Sequence, residues 1–414
     1  MDLCKYSFGT GDRFGMQGRA QLAAIEKARE DGLDLAIVWN KSHREHSIVG
    51  TGQEALRQEA EEAVAAANYS GQYFVDADHV GLKTVDQFID SSDFFTLDVA
   101  DSIGKPAETR SIVEFCHRMK RFTGKLQIPG IAEPLNSSLQ EVERIAAKYL
   151  SAVQEAANIY RHIEGVKGVG NFITEVSMDE TSVPQSPMEL FFILAALAEE
   201  KVPLQTLAPK FSGRFNKGVD YIGDVGEFTQ EFEEDLLLIA YAVEQFDLPR
   251  DLKLSVHSGS DKFSLYGPIR KILGKYDAGI HVKTAGTTWL EELIGLAEAG
   301  GTGLEIAKKV YGASHARYDE LCSPYASVID IDTAKLPSPE IVNSWTSLQY
   351  VAALRHDQSC ADYNVNLRQL LHVGYKVAAE MGEEYTNALS ENEQVVAKNV
   401  TENLYMRHIV PLFI

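Results

Sequence analysis

Eight short apolar runs with strand-type residue preferences punctuate the first 283 residues, and helical periodicity fills most of the intervals between them. They are Lys5–Phe8, Leu35–Trp39, Tyr73–Val75, Phe94–Val99, Asn171–Ser177, Leu204–Lys210, Leu252–Val256 and Ala278–Ile280. No two neighbours are joined by hairpin turn chemistry, and helix-length connections make consecutive strands parallel. Eight alternating units predict an α/β chain, a (β/α)8 TIM-type barrel over residues 1–300. The interval 105–165 is too long for one connection and predicts a mostly helical insertion, broken near Pro129-Gly130 and Pro134. Residues 301–414 predict a mostly helical extension that covers the barrel base or mediates oligomer contacts, with His315, His356, His372 and His408 in structural or surface roles.

Charge and composition narrow the partners. A net charge of −21 argues against nucleic acid, and any anion site in such a chain must be built locally from Lys and Arg. No apolar run reaches the roughly 18 residues of a membrane span. Met1–Tyr6 carries no signal-peptide pattern, and the four cysteines lack metal or disulfide spacing, which together predict a cytoplasmic protein, possible as a homo-oligomer. The glycines of Gly9–Gly15 are spaced wrongly for a dinucleotide loop. Lys41, His43, Arg44 and His46 read as a polar loop after the second strand, either solvated or touching a substrate.

A barrel gathers the C-terminal ends of its strands around one mouth. The ends here hold Asp78 and His79, Glu175, Lys210, His257, and His281 with Lys283. Strand alternation puts Asp76 and Asp78 on one face and Ala77 and His79 on the other. Three neutral imidazoles, His79, His257 and His281, can bind one divalent cation (Zn, Mn, Fe, Co or Ni) while leaving positions for substrate oxygens. Nearby carboxylates are candidates for proton transfer, and lysines supply point charges. Blander roles compete: a strand-end histidine can be a satisfied structural residue, and Glu175 can simply pair with Lys210.

The stretches Asp76-Ala77-Asp78-His79, Phe172-Ile173-Thr174-Glu175, Ala208-Pro209-Lys210-Phe211, His257–Lys262 and His281–Thr287 resemble the tagaturonate epimerase family of bacterial hexuronate catabolism, over most of the chain. The resemblance implies a metal-dependent isomerase interconverting D-tagaturonate and D-fructuronate. It implies Asp78 as an acid/base beside the metal-binding His79, Glu175 as a second acid, and His257 and His281 as further ligands. Lys210, Arg214, Ser258, Lys262 and Lys283 are then expected to bind substrate oxygens. The two sugars differ at a carbinol carbon β to the ketone, which favours retro-aldol chemistry over simple enolisation. A metal-dependent sugar-acid aldolase, an aldose–ketose isomerase, a Schiff-base aldolase using Lys210 or Lys283, and a non-catalytic sugar-acid binder remain the competing expectations.

Overall fold

The computed structural model describes every residue except Ser182 and Ala285, so Ala285 of the last motif stretch lies outside the described residues. Among the described residues ten strands occur in chain order: β1 (Tyr6–Thr10), β2 (Leu35–Ser42), β3 (Tyr73–Val80), β4 (Phe94–Asp98), β5 (Gly124–Leu126), β6 (Leu135–Ser137), β7 (Ile173–Ser177), β8 (Thr206–Ala208), β9 (Lys253–His257) and β10 (Ile280–Lys283). Eight of them close into a parallel barrel in the order β1-β10-β9-β8-β7-β4-β3-β2. The eight-unit barrel expected from the sequence is the fold observed.

Alternation along the strands decides what each side of the barrel wall holds. Phe8, Ile37, Trp39, Val75, Phe95, Leu97 and Val256 join the large core, which also takes in the surrounding helices. Ala36, Val38, Phe74, Phe94 and Ile173 form a separate apolar plug with Leu3. Side chains of this size each contribute about 1.5–3 kcal/mol when fully buried, so the plug holds the lower barrel shut against water. Two residues further along β3, β4 and β7 the pattern turns polar, at Asp76, Asp78, Thr96 and Glu175. That switch sets a charged cluster on an apolar floor.

Three boundaries differ from the sequence reading. The insertion contains an antiparallel hairpin, β5 against β6, between helices Thr109–Met119 and Leu139–Lys167. Its three-residue strands are too short to show a period, while Gly130 (φ 91°) and the nearby prolines exclude a continuous helix. The segment after the second strand is no loop: β2 continues to Ser42, which caps helix His43–Val49 in a reciprocal box with Glu45. Finally, β10 runs on through Lys283, which proves decisive for His281. The Gly9–Gly15 stretch closes on itself, since the Asp12 carboxylate accepts the backbone N–H groups of Phe14, Gly15, Met16 and Gln17.

The C-terminal extension packs along helix Thr287–Ala299, where Trp289 Nε1 donates to the Leu371 carbonyl at 2.7 Å. From His372, above the loops that follow β9 and β10, it runs down to Phe413, whose ring lies 5.1 Å from that of Tyr6 at the start of β1. Among the described residues no helix is long and apolar enough to cross a membrane.

Candidate active site

β3, β4 and β7 stand side by side and bring their inward polar residues together. Thr96 Oγ1 lies 3.0 Å from each oxygen of Asp76 and 3.1 Å from Glu175 Oε1. Thr206 on β8 donates to Glu175 Oε2 at 2.7 Å. Lys283 reaches in from β10, its Nζ 2.6 Å from Asp76, 2.8 Å from Asp78 and 3.2 Å from Glu175, and bonded to Thr96. One buried ammonium therefore holds three buried carboxylates.

His79 joins this group against the alternation rule. The β3–β4 register shifts between Ala77 and Val80, and His79 adopts φ 55°, a left-handed conformation rare outside glycine. Ala77 stays in the outer core, while the bulge turns the imidazole inward, Nδ1 2.8 Å from Asp78 Oδ1. A strained backbone at the lip of a polar centre is a common place for function. His257, ending β9, puts Nε2 2.8 Å from Glu175 Oε1, and its ring meets that of His79 edge-on at 5.1 Å.

Between the two imidazoles lies Asp179, two residues past β7. Its oxygens are 3.5 Å from His79 Nε2 and 3.1 Å from His257 Nδ1. Both nitrogens are buried without a hydrogen bond of good geometry. One ligand atom from each of His79, Asp179 and His257 lies within 4.8 Å of the others. Two imidazole nitrogens without a hydrogen bond, close to a carboxylate that accepts from Ser177 Oγ at 2.5 Å, fit a first-row divalent ion with positions to spare.

Charge partners, more than burial, decide the protonation states here. Burial opposes ionisation of Asp78 and Glu175, but Lys283 with His79, and Lys283 with His257, hold both carboxyls well below the usual range. Asp76 goes the other way: burial together with Asp78 and Glu175 outweighs Lys283 and raises it to about 7. Burial would pull His257 down, yet Asp179 and Glu175 raise it to about 9.

The remaining expected residues scatter. His281 does not join His79 and His257, because Lys283 is the residue level with His257 and His281 pairs one step lower, with Ser255 and Ser7. Its Nδ1 bonds Ser7 Oγ at 2.9 Å, its ring lies 5.2 Å from that of Phe94, and burial lowers it to about 3, a neutral imidazole in the floor. Ser258 is spent on the Lys283 carbonyl at 2.7 Å. Lys262 is fully buried among the carbonyls of Asn216, Val219 and Asp261, so it fastens two loops together. Arg214 is exposed and reaches Asp330 and the Ile329 carbonyl at 3.4 Å. Lys210 is half-buried at the end of β8, where its backbone N–H donates to Gln185, and it makes no ion pair with Glu175 among the described residues. The structure adds Asp76 and Asp179 to the polar cluster beside the expected residues. Asp76 was legible as the alternation partner of Asp78, whereas Asp179 lies beyond the strand and carries no periodic signal.

Fold and site together define a (β/α)8-barrel enzyme with a carboxylate–lysine–histidine centre at the C-terminal mouth, where such barrels carry their chemistry. The family model of tagaturonate epimerase matches residues 1–411, and the chain belongs to that family, an isomerase class of epimerases. A curated Thermotoga maritima protein named tagaturonate/fructuronate epimerase is 28% identical over 419 residues, covering 97% of this chain and 80% of that protein. Crystal structures of fructuronate–tagaturonate epimerase from Cohnella laeviribosi, native and with one glycerol, share the fold with TM-scores of 0.80 at 22% identity, over 99% of this chain and 81% of theirs.

Proposed function

We propose that this enzyme interconverts D-tagaturonate and D-fructuronate as a metal-dependent 4-epimerase, working by retro-aldol cleavage and re-addition. The observation that supports this most directly is the pairing, at one barrel mouth, of an ionised Asp78 on Lys283 with a His79–Asp179–His257 donor set, in a chain of this family.

The carbon that changes configuration is β to the ketone, so its C–H gains no acidity from enolisation. Asp78 takes the proton of its hydroxyl instead. The neighbouring C–C bond breaks, its electron pair passes toward the ketone oxygen to leave an enediolate, and the carbinol carbon becomes an aldehyde. A divalent cation held by His79, Asp179 and His257 would supply Lewis-acid stabilisation of oxygen charge. The aldehyde turns, and the enediolate carbon attacks its other face. Glu175 returns a proton to the new alkoxide. Lys283 bonds both Asp78 and Glu175 and gives the proton a route between them, and Asp76 holds a further proton near neutral pH. The reverse reaction exchanges the two roles.

Proton NMR of D-tagaturonate with the metal-loaded protein tests the proposal. Accumulating D-fructuronate is expected, with turnover lost on chelation and regained with metal. Unchanged substrate would refute the epimerase reading, and two three-carbon products alone would make the protein an aldolase.

A further inference from the structure

We infer that Arg13, Lys217 and His372 hold the substrate carboxylate, on the side of the barrel mouth opposite the acid/base groups. This assignment rests on the epimerase reading for the identity of the substrate.

Most cations near the mouth are already spent. Lys283 is occupied by three carboxylates and Lys262 by backbone carbonyls. Lys41 donates to the Arg13 carbonyl at 2.7 Å. Arg368 is saturated by Gly218, Leu354 and Asp261. Arg13 is different. Only 7% exposed, it places Nε 3.2 Å from Glu45 and its guanidinium 4.3 Å over the Tyr375 ring, while Nη1 is buried with no partner. A buried guanidinium N–H without an acceptor is costly unless a ligand completes it.

Its place is at the mouth. Glu45 caps Ser42, and Ser42 is the register neighbour of Asp78. Thr10 Oγ1 and both amide atoms of Asn40, at the ends of β1 and β2, are also buried and unpartnered. The C-terminal extension supplies the next group. His372 is 2% exposed, and its unpartnered Nε2 presses on Gly286, where a Cβ would lie only 2.1 Å away. The same Cβ would meet the Gly259 carbonyl at 2.5 Å, and Lys217 Nζ lies 3.8 Å from the Cβ position of Gly259. Lys217 forms no ion pair among the described residues. Gly259 follows β9, Gly286 follows β10 and Arg13 follows β1, three adjacent strands facing β3, β4 and β7 across the barrel. Burial first, and then Arg13, Lys217, Arg368 and Lys262, keep His372 well below its ordinary pKa, the mark of a locally positive region in an acidic chain.

This position has a chemical use. Cleavage leaves the carboxylate on the aldehyde fragment, so an anchored carboxylate keeps that fragment in place while its carbonyl turns. Loosening the anchor would release dihydroxyacetone, the protonated enediolate, together with the three-carbon aldehyde acid.

The test compares Arg13→Gln and the half-buried Lys217→Met with the unaltered metal-loaded enzyme. Each variant is assayed on D-tagaturonate and on the ketohexose with a hydroxymethyl group in place of the carboxylate. A loss in kcat/KM of about thirtyfold or more on the acid, under threefold on the neutral sugar, with three-carbon fragments released, is the expected result. Equal losses on both sugars, or an unchanged rate on the acid in both variants, would overturn the assignment. Calorimetric titration with D-galactonate, which has the carboxylate but no ketone, reads binding without turnover. Weakening by both substitutions supports the anchor even if tagaturonate proves not to be turned over, and unchanged affinity in both variants refutes it.

Discussion

Two halves of the same rim are built on different principles. The half on β3, β4 and β7 packs Asp76, Asp78, Thr96 and Glu175 around a lysine borrowed from across the barrel, and almost every polar atom there is paired. The half on β1, β10 and β9 has Arg13 after β1, Lys217 reaching Gly259 from the loop after β8, and His372 of the extension against Gly286, with Arg13 Nη1 and His372 Nε2 buried without a partner. A self-satisfied network is suited to holding protons in set positions, because its charges need no partner from outside. A positive arc in which Arg13 spends Nε on Glu45 but leaves Nη1 without a partner is suited, in a chain of net charge −21, to completing itself with an anion. The contrast suggests which end of a sugar acid faces which wall.

The contrast can be tested most severely on the acidic side. Asp78→Asn is expected to cut turnover by about 10²–10⁴-fold, measured by NMR, with the metal-to-protein ratio unchanged in elemental analysis. Asp179→Ala should weaken metal affinity by about 10–100-fold or more, while His281→Gln keeps its metal. The reverse result would return His281 to the ligand set and break the geometry proposed here.

The basic side depends on the extension that roofs it. Asp261, fully buried beyond β9, accepts from Arg368 at 2.6 Å and lies 3.0 and 3.1 Å from His356 and His408. Arg368→Met strands that carboxylate and should cost about 3–5 kcal/mol in chemical denaturation. A smaller effect is expected from pH. His372 has a folded pKa depressed below its unfolded value, so below about pH 6.5 the unfolded chain binds a proton that the fold refuses. Stability then falls with pH by up to about 1.4 kcal/mol per unit from this group, and His372→Gln should flatten denaturation midpoints measured between pH 6.5 and 5. Arg214→Ala, on an exposed residue outside both halves, should change kcat/KM by less than about twofold, in keeping with the small energetic effect of such surface changes.

How far the sequence could be read follows from what is local. Asp76, Asp78 and Glu175 are legible at strand ends because a strand's own alternation puts them there. Ala278–Ile280 reads as the strand, which sets His281 one layer too high, whereas pairing with β1 and β9 carries the strand to Lys283. Lys262 and Arg214 looked like rim cations, and only their partners reveal one as a fastener and the other as a surface residue.

By itself, then, the order of residues determined the eight-fold β/α alternation and the acidic character of one rim, since apolar period and strand length act within a few neighbours along the chain. The tertiary structure alone decided that a bulge turns His79 inward, that Asp179 lies between His79 and His257, and that His372 from the far end of the chain meets Gly286 at the mouth. Register, bulges and long-range packing depend on which segments touch, and no local pattern encodes that.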